Sequence, residues 1–134
     1  MTRRKLPPVL AVLTIMMLLT VLSPSGPCAS TDDELVALAR SRSRVVIAEF
    51  GLGLCRQCKA QSAILEKIRE TYKDKVVVRM VHVNKERELT DRYRIETIPH
   101  LIFFEPSGNV ALRKTGVMKY EDIATQLSRM GVAP

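Results

Sequence analysis

The chain has 134 residues, room for one domain. Its 21 Lys and Arg against 14 Asp and Glu make it basic. Charges of both signs alternate along its polar stretches, Trp is absent and aromatic residues are only 4%, which excludes a basic, aromatic-studded nucleic-acid platform.

The first 30 residues read as an address. Arg3, Arg4 and Lys5 form a basic start, Val9 to Leu22 is predominantly apolar, and small and turn-forming residues follow up to Cys28-Ala29-Ser30. That is the layout of a secretory signal, and the apolar run is shorter than the roughly 20 residues of a membrane span. Residues 1–30 are therefore expected to be a signal peptide, with an uncleaved N-terminal anchor as the alternative, and 31–134 the folded domain. The expected location is outside the cytosol, periplasmic or otherwise extracytoplasmic. Cys28 belongs to the discarded segment or, on a second reading, carries a lipid, although Pro27 before it suits a lipoprotein signal poorly. The segment holds three of the 21 basic residues and none of the 14 acidic ones, so eighteen bases face fourteen acids in the remainder. That balance fits solubility, with some bias toward acidic partners. Cys55 and Cys58 are then the only cysteines, in a compartment where a disulfide persists.

In chain order, Thr31 is expected to cap a helix opening at Asp32 and Asp33, with Leu35, Leu38 and Ala39 at helical spacing. Arg44 to Phe50 is a short, nearly continuous apolar run, a strand buried on both faces. The loop Gly51-Leu52-Gly53-Leu54 leads into Cys55-Arg56-Gln57-Cys58 and a helix from Arg56 to about Tyr72, its inner face supplied by Ala60, Ile64, Leu65 and Ile68. Lys75 to Val83 reads as a second strand, and Lys85 to Ile95 as a short polar helix burying Leu89 and Tyr93. Leu101 to Glu105 and Val110 to Lys114 read as a hairpin closed by Pro106-Ser107-Gly108-Asn109. A last helix runs from about Tyr120 to Met130 with Ile123, Leu127 and Met130 as its stripe. The order α-β-α-β-α-β-β-α puts two parallel strands and a hairpin into one four-stranded mixed sheet with helices on both faces, an α/β fold.

A C-x-x-C can be a structural disulfide, part of a metal site, a relic in a redox-inactive interaction domain, or a working redox pair. A four-residue ring constrains the unfolded chain by about 2 kcal/mol at most and ties no distant segments together. A closed zinc site needs two more ligands. Cys55, Cys58 and His100 remain as an alternative three-ligand copper or zinc set. The pair's position favours redox work. Cys55 sits where a helix begins, so unpaired N–H groups and the helix dipole favour a thiolate, and Arg56 adds a cation beside it. Cys58 lies three residues on, facing the same side, and is expected to be the more buried, resolving thiol. Glu49 is a carboxylate inside an apolar strand. Burial would raise its pKa toward neutrality; the other reading is a strand-end Glu reaching solvent or an Arg. His82, which by alternation shares a strand face with Met80, either caps the end of its strand or is a candidate partner for Glu49. Leu52 and Leu54 are either docking surface or core, and Gly116 is either a turn glycine or a gap left for substrate.

In its C-x-x-C after the first buried strand, in Ile98-Pro99 directly before a hydrophobic strand, and in the hairpin, Gly116 and closing helix that follow, the chain resembles the thioredoxin family over roughly Arg44 to Met130. The resemblance implies a sheet order 2-1-3-4 and a protein thiol–disulfide oxidoreductase working without a cofactor. Cys55 would be the nucleophile, Cys58 the resolving thiol, and Glu49 the acid that relays a proton for Cys58. Arg56 and Gln57 would tune the pair. Leu54, Ile98, a cis-Pro99 and Gly116 would line the substrate groove, with the Ile98 backbone free to pair with a substrate strand. The implied partners are protein disulfides and a membrane or periplasmic redox donor, and a monomer is expected. Leu54 stands where the family usually has Trp, Arg56-Gln57 where it has Gly-Pro, Ala63 where it has Pro, Glu49 where it has Asp, and Met80 where it has Lys. Ile98 before the proline resembles the reducing branch, whereas Arg56 argues for an oxidant.

Overall fold

In the computed structural model, which describes residues 33–134, the elements are α1 (Glu34–Arg42), β1 (Val45–Gly51), α2 (Arg56–Tyr72), β2 (Val76–His82), α3 (Arg87–Arg92), β3 (His100–Phe104), β4 (Val110–Thr115) and α4 (Tyr120–Arg129). The address segment, Cys28 and Thr31 lie outside the described residues. The cap of α1 is Asp33, whose carboxylate accepts the Leu35 N–H at 3.0 Å, and not Thr31. A side chain that close to the first free N–H groups satisfies one of them at the positive end of the helix, which places the start later than expected.

The sheet runs β2-β1-β3-β4. β1 pairs parallel with β2, from Val45 opposite Val76 to Gly51 opposite His82, and antiparallel with β3. All seven residues of β1 are buried, because it is a central strand with a layer on each face. Period-two alternation divides its side chains between two cores. Val45 and Ile47 join Leu101 and Phe103 under α2 and α4, whose contributions include Leu65, Ile68, Ile123 and Leu127. Val46, Ala48 and Phe50 join Ile102 and Phe104 on the other face, against Leu35 and Ala39 of α1 and Tyr93 at the end of α3. Burying each such Leu, Ile or Phe contributes about 1.5–3 kcal/mol. The Tyr93 ring sits between Phe50 and Phe104, at centroid distances of 5.6 and 5.7 Å.

One expected core position is displaced. Ala60 is exposed, and Gln61 takes the inward place on α2 with no exposed surface. The inner face of α2 is Cys58, Gln61, Leu65, Ile68 and Tyr72, spaced by three and four residues. Gln61 is tolerated there because its Oε1 accepts the Met118 N–H at 2.6 Å.

Candidate active site

β1 ends at Gly51, the chain turns through Leu52 to Leu54, and Cys55 caps α2 in an extended conformation. The turn is fixed by the Cys55 N–H donating to the Leu52 carbonyl at 3.1 Å. From the cap position the Cys55 Sγ accepts the Cys58 N–H at 3.2 Å, the bond a Ser or Asp side chain makes at other helix starts. A thiolate accepts that bond better than a thiol, so the geometry favours the ionised form. The Cys55 pKa is lowered by the Cys58 thiol, then by the Cys58 amide, with a smaller contribution from the Gln57 amide. Cys58 is 2% exposed, and burial first, then its thiol's bond to Cys55, raises its pKa. Both thiols are free. One sulfur is thus accessible and readily ionised, its neighbour buried and held protonated.

Arg56 and Gln57 contribute differently from each other. Gln57 acts through its backbone N–H. The Arg56 side chain is exposed, forms no ion pair or hydrogen bond among the described residues, and is not among the groups that lower the Cys55 pKa.

Glu49 is 1% exposed, between Met80 of β2 and Leu101 of β3 in register. It reaches neither solvent nor an Arg. Its partner is Ser62 of α2, whose hydroxyl lies 2.9 and 3.2 Å from the two carboxylate oxygens. Burial raises the Glu49 pKa from 4.5 to about 7, against the opposing effect of the Ser62 bond. Ser62, rather than His82, fills the place of a partner, and nothing in the spacing of the sequence points to it.

Gly51 is a second residue whose role the sequence did not reveal. A Cβ there would lie 3.2 Å from both Cβ and Sγ of Cys58 and 3.7 Å from Glu49 Oε1. The missing side chain is what lets Cys58 pack against β1. The Cys58 sulfur and the Glu49 carboxylate both border this one small space.

Register places the proline loop at the same mouth. Phe50 pairs with His100, so Ile98 and Pro99 continue alongside Gly51 and Leu52. The Ile98–Pro99 peptide is cis. The Pro99 carbonyl accepts the Gly116 N–H at 2.8 Å, and the main chain of Ile98 makes no hydrogen bond among the described residues. Gly116 has φ +83°, which favours glycine at this turn, and a Cβ built on it would meet nothing within 4 Å. The backbone turns here, and the space beside the glycine is open. Leu54 is not core, being 95% exposed. With Leu52, Gly53, His82, Asn84 and Lys85 it lines an open groove of about 600 Å³ beside Cys55.

The three-ligand metal alternative does not assemble. No group of three His, Cys, Asp or Glu side chains among the described residues is arranged to hold an ion. His100 pairs with Phe50, so its ring lies on the sheet face of Ile102 and Phe104, whereas Cys58 packs on the face of Glu49 and Gly51 under α2. Its Nδ1 is 3.1 Å from the Thr115 hydroxyl.

A four-stranded 2-1-3-4 sheet with a C-x-x-C at the mouth of its second helix defines a thioredoxin-like redox domain. Comparison with known proteins agrees: the Thioredoxin family model matches residues 28–129. The chain is 30% identical to a thioredoxin of Alicyclobacillus acidocaldarius over 83 residues, 62% of this chain and 78% of that protein. It is 28% identical to Thioredoxin C-2 of Corynebacterium nephridii over 95 residues, 71% of this chain and 87% of that one. It spans less of other relatives: 53% of Thioredoxin-T of Drosophila melanogaster and 24% of the rice protein disulfide isomerase-like 2-2. Among solved structures, chloroplastic thioredoxin z superposes with a TM-score of 0.65 at 23% identity, over 72% of this chain and 85% of that one, a likeness of fold. The chain belongs to the thioredoxin family, and it is a protein thiol–disulfide oxidoreductase of that family.

Proposed function

We propose that the chain works outside the cytosol as a protein disulfide reductase, as a monomer recharged by a membrane-bound or periplasmic dithiol donor. The observation that carries the redox reading is the unequal pair, an accessible Cys55 sulfur accepting the Cys58 N–H and a buried Cys58 thiol beside the buried Glu49 carboxylate. The Cys55 thiolate attacks one sulfur of a substrate disulfide. A mixed disulfide forms, and the other substrate sulfur leaves as a thiolate with the bonding electron pair. Cys58 then passes its proton to Glu49, directly or through a water, and its sulfur attacks the Cys55 sulfur. The Cys55–Cys58 disulfide forms, the mixed bond breaks, and the second substrate sulfur departs with its electron pair. The domain is oxidised by two electrons and the substrate reduced by two. A donor dithiol, itself oxidised to a disulfide, restores Cys55 and Cys58.

The reducing direction is supported by Ile98 before Pro99. The case for an oxidant is Arg56, an exposed cation one residue from Cys55. The open, unpaired Ile98 main chain, Gly116 and Leu54 suit an extended polypeptide laid across Cys55. The basic, apolar and small-residue order of residues 1–30 supports the location. The deciding measurement is the reduction potential of the Cys55–Cys58 couple against glutathione. A value near that of thioredoxin, about −270 mV, is expected; one near −120 mV would make the domain an oxidant. Fusing residues 1–30 to a reporter active only outside the cytosol tests the location, and an inactive reporter overturns it.

A further inference from the structure

We propose that Ser62 is a positioning residue that decides when Glu49 can take the Cys58 proton, and so the pH at which the domain resolves its mixed disulfide. The inference rests on the reading of Glu49 as proton acceptor. Ser62 stands one helical turn beyond Cys58 on α2, so both side chains are presented to the same stretch of β1. Its hydroxyl is the only donor to the Glu49 carboxylate among the described residues, within reach of both oxygens at 2.9 and 3.2 Å. The strands on either side offer Met80 and Leu101, which neither donate nor carry charge. The ionisable groups that interact with Glu49 are the thiols of Cys55 and Cys58, both from α2 or its cap.

A hydroxyl that can only donate to this carboxylate stabilises its charged form. Burial does the opposite, and the two together leave the group titrating at about 7. Glu49 can accept a proton only while it is ionised. When it does, the Cys58 S–H proton moves to the carboxylate, the sulfur keeps the electron pair, and that pair forms the bond to Cys55 while the substrate sulfur takes the pair of the broken bond. Without the hydroxyl, Glu49 would already hold a proton at neutral pH. Cys58 would then stay a thiol until the solution became more alkaline.

The test uses the full domain with Cys55 joined to thionitrobenzoate, and follows release of the coloured thiol against pH. Ser62→Ala should move the inflection of the wild-type profile upward by about one to two pH units, slow release about tenfold or more at pH 7, and restore the wild-type rate at alkaline pH. Ser62→Thr, which keeps the hydroxyl, should return the inflection toward wild type, and Ser62→Gly deletes the hydroxyl in a second backbone context. Glu49→Gln should remove the near-neutral inflection and leave only the alkaline rise of Cys58 itself, and adding Ser62→Ala to it should slow release no further. An unmoved inflection in both hydroxyl-less variants, or equal slowing at every pH, overturns the role of Ser62 while leaving Glu49 in place. A near-neutral inflection that survives unmoved in Glu49→Gln overturns instead the reading of Glu49 on which the inference rests.

Discussion

The Gln61 side-chain oxygen accepts the Met118 N–H at 2.6 Å, joining the helix that carries the resolving cysteine to the loop that follows Gly116. Both residues are buried, so the bond fixes one wall of the active-site mouth to α2. Its other amide atom, Nε2, has no partner among the described residues. Replacing Gln61 by Leu leaves the Met118 N–H unpaired but also removes that unpaired donor. The first effect costs about 1–3 kcal/mol and the second offsets part of it, for a net loss of about 1 kcal/mol. A urea unfolding midpoint that falls with unchanged slope would show it; an unchanged midpoint would mean the bond contributes nothing net.

Gly51 is expected to tolerate a side chain poorly. A Cβ 3.2 Å from both Cβ and Sγ of Cys58 requires Cys58, at the start of α2, to give by a few tenths of an ångström. Gly51→Ala should destabilise the fold by about 1–3 kcal/mol as an overpacking change and lengthen the life of a mixed disulfide on Cys55 by displacing Cys58. Stopped-flow resolution rates and denaturant curves measure the two effects separately. Wild-type behaviour in both would mean that α2 adjusts without cost.

Leu54 should matter for substrate and not for stability. At 95% exposure it contributes little to the fold, so Leu54→Ala should change the unfolding free energy by no more than about 0.5 kcal/mol. The same variant should lose more activity toward a folded protein disulfide, such as insulin, than toward a small aromatic disulfide. Equal losses on both would place Leu54 outside the docking surface.

The buried Glu49 makes the fold itself pH-dependent. Its pKa rises from 4.5 in the ordinary state to about 7 in the folded one, so the folded chain binds more protons between those values. Its contribution is most favourable below pH 4.5 and is lost as pH climbs through about 7, a change of about 3 kcal/mol for a shift of that size. Glu49→Gln should flatten this decline and be more stable than wild type above pH 7. A wild-type domain whose stability does not fall across that window relative to the Gln variant would show that the carboxylate is better solvated than its burial implies.

Much of this arrangement is written along the chain. The continuous apolar run around Ala48 gave a strand covered on both faces, and the same run made Glu49 conspicuous. The cysteine spacing at a strand-to-helix junction marked the redox pair. Counting by twos from Phe50 through its partner strand would also have set His100 on the face away from Cys58. Other features were hidden because they depend on how elements cross. Ser62 is a small polar residue on a helix, and only the angle of α2 over β1 brings it to Glu49. Gly51 reads as the first residue of a loop, yet it ends the strand and faces Cys58. The burial of Gln61 in place of Ala60 is a rotation of about 100° around the helix, which hydrophobicity alone assigns the wrong way. The exposed course of Arg56 likewise follows from side-chain direction, which spacing does not convey.

The account stands on the inequality of the two sulfurs, and pH-dependent alkylation of the reduced domain, with each cysteine followed by mass spectrometry, measures it directly. Cys55 should react first, with a half-point below that of a free cysteine, and Cys58 only at higher pH; in a Cys58→Ser variant Cys55 should be caught joined to a protein substrate. Cysteines that titrate together at the ordinary thiol value, with no trapped complex, would contradict it.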